Sequence, residues 1–396
     1  MSKPATRKKP SSGQFQTGPV VVLSLCHFIH DAYSSFLAPL LPLLIAKLGM
    51  TLTQAGFLST VMQIPAILNP LIGSLADRIS TRYFIILAPA TTAIPMSLLG
   101  LAPNYGVLLV LLFSAGVSVA MFHVPSPVMI SYLSGTRVGQ GMSFYMAGGE
   151  FARTVGPLVA IGSVSLFGLE GAYPIMIVGV LASFWLYWRL REVPLGDPQK
   201  RRTPLVEAWR DIRHVLIPLI AILVARGFMH AAMATFLPTY IKAETGNLWL
   251  AGFSLTLFEA SGVVGVMTTG SLSDYFGRRK ILVLSILGAP LGLLFFIELS
   301  GWYRFMALIF TGFTLLSTTP VMLALVQENA RTSPAAANGF FMMSSFLARS
   351  AIVVVVGFAG DLIGLRSTYL ISAALGLAGL PFIGMLPGRH SEKYRP

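Results

Sequence analysis

The sequence predicts an all-α integral membrane protein with about twelve transmembrane helices in two pseudo-symmetric six-helix bundles. Two observations lead to this prediction. Hydrophobic residues make up 55% of the 396 residues and charged residues only 11%, which is incompatible with a soluble domain that has a polar surface. In addition, apolar blocks of roughly 20 residues, the length that crosses a bilayer, alternate with short polar breaks.

The apolar blocks fall into two groups of six, separated by a hydrophilic segment. We therefore expect an N-terminal tail, an N-terminal bundle, a linker, a C-terminal bundle and a C-terminal tail over 1–17, 18–190, 191–213, 214–387 and 388–396. The predicted transmembrane helices, numbered 1 to 12, are 18–46, 52–75, 83–102, 106–133, 139–166, 171–190, 214–242, 248–272, 280–299, 304–327, 336–362 and 367–387.

The positive charge of the chain predicts its orientation. The formal net charge is +13, and most of the 28 Lys and Arg residues fall in the tails, the linker and the alternate loops on the same side. Basic loops mark the cytoplasmic side, so we expect both termini in the cytoplasm and the helices in the inner membrane. The charge thus reflects topology, and we expect no nucleic-acid partner. The basic N-terminal tail lacks the apolar core of a secretory signal. We expect a monomer.

The two halves repeat one another in sequence. GSLADRISTRY at Gly73 returns as GSLSDYFGRRK at Gly270, and HDAYSSFLAP at His30 returns as HAAMATFLPT at His230. QAGFLST in helix 2 returns as LAGFSLT in helix 8, and FARTVG in helix 5 returns as LARSAI in helix 11. Helix 1 is therefore paired with helix 7, helix 2 with helix 8 and helix 5 with helix 11. Internal repeats of this kind are typical of transporters.

This organisation resembles the major facilitator superfamily, whose signature loop between helices 2 and 3 is similar to GSLADRISTR and whose second copy is similar to GSLSDYFGRRK. The resemblance implies a cytoplasmic gate, in which the acid of each loop accepts hydrogen bonds from a neighbouring helix end or an Arg. Ser80 stands in the first copy where Gly is usual. The alternative is ordinary solvated loop charges. The implied gating residues are Gly73, Asp77, Arg78, Arg82, Gly270, Asp274, Arg278 and Arg279.

Three further stretches resemble the fosmidomycin-resistance branch of drug exporters within that superfamily. They are HFIHDAYSSFLAPLLPLL in helix 1, MFHVPSP in helix 4 and GGEFARTVGP in helix 5. The branch typically has Asn where this chain has His30 and Glu150. Gly156 and Pro157 also look like the Gly-Pro that accompanies export by exchange in drug antiporters. The resemblance implies export of a drug-like compound.

Charged residues inside the helices are the candidate binding groups. A charge in the bilayer core costs at least about 2.5–3.5 kcal/mol, so such residues face a cavity or one another. Arg153 and Arg349 occupy matching positions, and Phe346 replaces the acid that Glu150 provides beside Arg153. We expect both arginines to line a central cavity and bind a carboxylate, phosphonate or phosphate; the alternative is helix packing. The predicted substrate-binding residues are Arg153, Arg349, His30, His230, Arg226 and His123.

Three acids inside the helices are the candidate proton carriers, namely Asp31, Glu150 and Glu259. Burial favours the protonated form of a carboxyl group, which allows such a group to load and release a proton. We rank Asp31 first and Glu150 second. The alternatives are that Asp31 only pairs with Arg226 or His230 and that Glu150 only pairs within its own helix.

The sequence contains no nucleotide-binding, dinucleotide-binding or metalloprotease motif, and Cys26 is its only cysteine. We therefore expect no enzyme, no cofactor and no metal site. Without a nucleotide site, energy must come from an ion gradient. The leading hypothesis is a proton-coupled exporter that exchanges a small amphiphilic or anionic compound for protons. Two alternatives stay open: a proton symporter that imports an organic or phosphorylated anion, and a receptor or assembly protein that does not transport.

Overall fold

A computed structural model of the chain describes residues 15–69, 72, 82–135, 137–191, 205–330 and 334–387. Within these residues the regular elements are all helices, which confirms the predicted fold class. Ten described helical segments are long and apolar enough to cross a membrane, and Leu52–Leu68 is a shorter apolar helix beside them. The longest segment, Gly339–Met385, is interrupted at Gly364 and holds two of the predicted helices. The described residues thus contain twelve helical units, α1 to α12.

The first six units form the N-terminal bundle. Their bounds are α1, Thr17–Ser34 and Leu37–Leu48; α2, Leu52–Gln63 with a 3₁₀ extension over Ile64–Leu68; α3, Arg82–Ser97; α4, Tyr105–His123 and Ser126–Ser134; α5, Val138–Gly171; and α6, Met176–Leu190.

The other six units form the C-terminal bundle. Their bounds are α7, Leu205–Ala231, the π-helix Ala232–Phe236 and Leu237–Thr245; α8, Leu248–Phe276; α9, Arg278–Glu298; α10, Gly301–Leu316 and Thr318–Asn329; α11 and α12, which share Pro334–Leu377 on either side of Gly364, with Leu380–Met385 completing α12.

The helical part of the second bundle begins earlier than the sequence pattern indicates. Helix α7 starts at Leu205, inside the segment 191–213 that we predict as the linker. Glu207 lies in its first turn, where a carboxylate is stabilised by the positive end of the helix dipole. Apolar periodicity detects only the part of α7 that is hydrophobic enough to cross a membrane, so the polar first turns are missed.

The two halves interrupt their helices at matching places, which extends the sequence repeat to the backbone. Helix α5 is broken at Gly168, with φ 76°, and α11 at Gly364, with φ 78°. Positive φ is strained for any residue with a Cβ, so glycine is required at both breaks. The α2 and α8 helices begin at matching caps, where the Thr51 and Asn247 side chains each accept a hydrogen bond from a backbone N–H three residues on.

The most extensive contacts between the bundles form two seams, α2 against α11 and α5 against α8, and α1 also packs against α7. We call the face at which α1 begins and α12 ends the terminal face, and the face at which α1 meets α2 the opposite face. Small residues allow close contact along the α2/α11 seam, because a Cβ added at Gly56 would lie 2.6 Å from the carbonyl oxygen of Val353. Large apolar side chains such as Leu166, Met267 and Trp302 are exposed, as expected of a protein whose outer surface contacts lipid.

Hydrogen bonds join the bundles along the α2/α11 seam. At the opposite face, Asp361 accepts from the backbone N–H of Leu52 at 2.7 Å and of Thr53 at 2.8 Å, and from the Thr53 hydroxyl at 2.5 Å. Further along, the Thr60 hydroxyl donates to the Ser350 carbonyl at 2.6 Å. A carboxylate on two free N–H groups at a helix start is a charge-assisted contact reinforced by the helix dipole. This seam is therefore fastened near the opposite face.

Candidate transport site

Polar groups inside the bundles form two clusters. The Asp31 cluster lies on α1 and α4 of the N-terminal bundle. The arginine cluster lies on α5, α7, α8 and α11 and draws on both bundles. The Asp31 cluster consists of His27, His30, Asp31 and His123, and the arginine cluster consists of Glu150, Arg153, Arg226, His230, Glu259 and Arg349.

Three imidazoles surround the Asp31 carboxylate. Asp31 Oδ1 lies 2.8 Å from His30 Nδ1 and 3.1 Å from His123 Nε2, and Asp31 Oδ2 lies 3.2 Å from His27 Nε2. His27 and Asp31 are one helical turn apart on α1, so the spacing places both on one face. In the described part of the chain, the ion pairs of Asp31 are with these histidines, and the pairing with α7 that we considered as an alternative does not occur.

Aromatic side chains hold two of the imidazoles in place. The His27 ring stacks on Tyr145 with centroids 4.0 Å apart, and the His30 ring stacks on Phe122 at 4.3 Å. Gly149 on α5 makes room for the cluster, because a Cβ there would lie 2.7 Å from the His27 ring. The cluster is therefore rigidly packed, and His30, which is fully buried, has no access to a cavity.

The arginine cluster centres on an ion pair within α5. Arg153 and Glu150 pair through Arg153 Nη2 and Glu150 Oε1, as their i, i+3 spacing allows. The Arg153 side chain is 49% exposed and that of Glu150 17% exposed, so solvent reaches the pair from one side.

Glu259 on α8 belongs to the same group of charges. It interacts electrostatically with Arg153, Glu150 and Arg349, but in the described chain it forms neither an ion pair nor a hydrogen bond. Its counterpart in the sequence repeat is Gln63 on α2. An acid without a direct partner inside a membrane protein is costly, which makes Glu259 a candidate for a functional role.

Arg349, Arg226 and His230 complete the arginine cluster. The Arg349 guanidinium carbon lies 5.7 Å from the centroid of the Phe346 ring, and no carboxylate pairs with Arg349 among the described residues. Arg226 is buried and donates to the Leu315 carbonyl at 3.2 Å. His230 interacts electrostatically with Arg349, Arg226 and Arg153. Among the described residues, positive charge without a paired acid thus lies on the C-terminal side of the cluster.

The structure divides the predicted substrate-binding residues between the two clusters. Four of them lie in the arginine cluster and two, His30 and His123, lie beside Asp31. His27 is not among the predicted site residues, although its position one turn before Asp31 is a signal that could have included it. Asp361 was also missed. The stretch GFAGDLIG, from Gly357 to Gly364, repeats the Gly, Asp and Gly spacing of the second gate loop.

The gate loops are described only in part. Gly73, Asp77 and Arg78 lie outside the described residues, and Arg82 begins α3. In the second copy, Arg278 pairs with Asp274 and with Glu328, the latter at 2.7 Å. These partners all belong to the C-terminal bundle. A role for Asp77, Asp274 and Arg279 in gating stays a prediction.

Two packed helical bundles with charged groups buried between them are the architecture of a membrane transporter that opens alternately to its two faces. The chain belongs to the Major Facilitator Superfamily, whose family model matches residues 23–350 and, in a second overlapping match, 241–396. Members of this superfamily are transporters and not enzymes.

Individual relatives agree with this assignment. The chain is 25% identical over 386 residues to the fosmidomycin resistance protein of Escherichia coli (strain K12), which covers 95% of this chain and 94% of the relative. Among solved structures, the nucleoside transporter NupG matches with a TM-score of 0.77 at 14% identity, covering 93% of this chain and 100% of that one. A D-xylose-proton symporter matches with a TM-score of 0.75 at 15% identity, covering 94% and 98%. These two structures show the fold alone.

Proposed function

We propose that the protein is a proton-coupled secondary transporter that exports a small anionic or amphiphilic compound in exchange for protons. In this proposal it lies in the inner membrane with both termini in the cytoplasm, so that the terminal face is cytoplasmic. The arginine cluster binds the substrate, and an acid of the same cluster carries the proton.

The observation that carries the proposal is the charge balance of the arginine cluster. Three arginines of the cluster, Arg153, Arg226 and Arg349, share its two acids, Glu150 and Glu259, and among the described residues neither Arg226 nor Arg349 forms an ion pair. A guanidinium cannot lose its proton and presents two parallel donors, so it suits a carboxylate, phosphonate or phosphate. An anionic substrate group would supply the missing negative charge.

The geometry changes the order in which we rank the proton carriers. Asp31, ranked first from the sequence, is enclosed by three imidazoles, and Glu150 is paired with Arg153. Glu259 is the acid with no direct partner, and it lies near both Arg153 and Arg349. A carboxyl group in that position is stable when protonated or when an arginine approaches it, so substrate release and proton binding can alternate. We therefore propose Glu259 as the carrier, with Glu150 as the second candidate.

The closed seam suggests which half of the cycle the structure represents. Asp361 fastens α2 to α11 at the opposite face, whereas the ion pairs that the described residues form with Arg278 at the terminal face lie within its own bundle. We assign the structure to the state that is closed at the opposite face. In the transport cycle, the contacts of Asp361 break when the substrate cavity opens to that face.

The name of the Escherichia coli relative suggests a first substrate to test. We propose fosmidomycin and simple phosphonates such as methylphosphonate as probes, beside a neutral amphiphile of similar size. The purified protein is reconstituted into liposomes that contain a pH-sensitive dye, and a pH gradient is imposed. If protons and the phosphonate cross the membrane in opposite directions, the result supports the exporter. Proton and probe moving together supports the symporter, and a protein that moves neither probe nor protons contradicts both.

A further inference from the structure

The Asp31 cluster contains a contact that ordinary hydrogen bonding does not complete. His27 Nδ1 lies 2.8 Å from the backbone carbonyl oxygen of Tyr145, and because that oxygen can only accept, Nδ1 carries the hydrogen. In neutral His27 the Nε2 atom is then a bare acceptor. It is buried, has no hydrogen-bond partner, and lies 3.2 Å from Asp31 Oδ2, which is also an acceptor. Two acceptors that face one another at this distance need a positive charge between them, which is either a second proton on the His27 ring or a metal ion.

We propose that His27, Asp31 and His123 bind one divalent transition-metal ion of the Zn²⁺, Co²⁺ or Fe²⁺ class. One ligand atom from each residue lies within 4.8 Å of the other two. Metal–ligand distances of about 2.0–2.2 Å separate neighbouring atoms of a tetrahedral site by roughly 3.3–3.6 Å. His123 Nε2 lies 3.1 Å from Asp31 Oδ1 and His27 Nε2 lies 3.2 Å from Asp31 Oδ2, so each separation is close to that value, although the two involve different oxygens of the carboxylate. Two imidazoles and one carboxylate are an established ligand set for these metals.

The groups behind the ligands match those of known metal sites. Histidines that bind a metal through one nitrogen usually donate the other N–H to a carbonyl or carboxylate, which fixes the ring and its tautomer. The Tyr145 carbonyl takes this role for His27. His30 donates from Nδ1 to Asp31 Oδ1 at 2.8 Å and so orients the carboxylate. His30 is thus a positioning residue, which agrees with its complete burial.

One side of the site is accessible. The side chain of His123 is 37% exposed, whereas those of His27 and Asp31 are 5% and 11% exposed. Three protein ligands leave at least one coordination position free, and it would lie on the His123 side. A metal held there could take an oxygen ligand, such as water or an anionic group.

The repeat shows that the fold does not require these three residues for packing. SPVM at Ser126 in helix 4 returns as TPVM at Thr319 in helix 10, so helix 4 is paired with helix 10. The C-terminal positions that correspond to His27, Asp31 and His123 are Gly227, Ala231 and Leu316. The second bundle therefore builds the same helices without any of the ligands, while it keeps His230 in the place of His30. The metal site is specific to the N-terminal half, and its existence does not depend on the proposed function.

Metal binding by the full-length protein tests this inference. The protein is purified in detergent with an affinity tag that contains no histidine, and is titrated with Zn²⁺ by calorimetry and with Co²⁺ by visible absorption. We expect one equivalent to bind, and His27→Gln, His123→Gln and Asp31→Asn each to lower the affinity at least about ten-fold. His214→Gln is the matched control, because His214 is exposed on α7, away from the cluster.

Thermal unfolding of each metal-free variant separates loss of the site from loss of the fold. Asp31→Asn keeps the shape of the side chain, and His123→Gln changes a partly exposed residue, so at least these variants are expected to fold. A wild-type protein without saturable Zn²⁺ binding would overturn the proposal. Unchanged binding in the folded Asp31→Asn and His123→Gln variants would overturn it as well, because the metal would then lie elsewhere.

Discussion

The α5/α8 seam and the α2/α11 seam are related by the internal repeat, yet they carry different side chains. In the middle of the membrane the first has Glu150, Arg153 and Glu259, whereas the matching positions of the second are Phe346, Arg349 and Gln63. Only the arginine is kept in both.

At the opposite face of the protein, the acid belongs to the α2/α11 seam instead. The α2/α11 seam has Asp361 on the first residues of α2, and the matching residue of α5 is Ser165. The α8 end that faces α5 is apolar, with Ile161 packed over Gly252 and Trp249 beside Gly162.

The difference separates two tasks that any alternating transporter must combine. Two acids, Glu150 and Glu259, lie in the middle of the α5/α8 seam near the arginines, where in our proposal protonation of an acid leaves an arginine free for the substrate. The acid of the α2/α11 seam lies at the membrane edge, where it fastens one bundle to the other. We infer that the α5/α8 seam couples proton to substrate and that the α2/α11 seam closes the opposite face.

The largest effect is expected at Glu259. Glu259→Gln introduces the residue found at the matching position of the other seam, Gln63, and removes the proposed proton carrier. Uphill transport in liposomes should therefore be lost, while substrate exchange without a gradient continues. Glu170→Gln is the matched control, because Glu170 pairs with Lys47 at the opposite face and away from the cavity. Uphill transport that persists in Glu259→Gln and fails in Glu150→Gln would move the coupling role to Glu150.

The next effect concerns substrate affinity. Arg349→Ala should weaken binding of a phosphonate probe by about 2–5 kcal/mol if a buried anionic group is left unpaired. Arg349→Lys should weaken it less, because the charge stays but the planar two-pronged contact is lost. Binding is measured by calorimetry, with Arg366→Ala as control, since Arg366 pairs with Glu298 outside the cavity. Unchanged affinity in Arg349→Ala would show that this arginine serves helix packing.

A moderate effect is expected at the fastened seam. Asp361→Asn removes the negative charge that accepts hydrogen bonds from the start of α2. Because Asp361 is exposed, the closed state should lose only about 1 kcal/mol of stability. This corresponds to roughly a five-fold shift of population toward the state open at the opposite face. Cys26 is the only cysteine and is buried, so single cysteines placed near the cavity report accessibility cleanly. The control is Ser165→Ala. Equal labelling in the wild type and Asp361→Asn would contradict the fastening role.

The smallest effect is expected at the terminal face. Arg278 joins Asp274 and Glu328 within one bundle, and partly exposed ion pairs of this kind contribute about 0–1 kcal/mol. Arg278→Gln should therefore lower the thermal stability slightly and leave the accessibility of the cavity nearly unchanged. A large increase of cysteine labelling from the terminal face would instead support the gate that the sequence predicts for this loop.

The fold class could be predicted from the sequence because each transmembrane helix must be apolar and about 20 residues long to cross the bilayer. The repeat pairs Arg153 with Arg349, and in the structure the two arginines are close enough to interact electrostatically, while their role in lining a cavity stays a prediction. The contact of Asp361 could not be predicted, since it depends on how closely the start of α2 approaches α11. The role of His27 depends on which ring nitrogen faces Tyr145, and no sequence pattern specifies that orientation.

A single comparison in liposomes tests the division between the seams most directly. Uphill accumulation and gradient-free exchange of the same phosphonate are measured for the wild type, Glu259→Gln and Asp361→Asn. We predict that Glu259→Gln loses accumulation but keeps exchange, and that Asp361→Asn keeps accumulation while both of its rates change together. If Asp361→Asn instead loses accumulation selectively, or if Glu259→Gln alters both processes equally, the two seams do not divide coupling from closure.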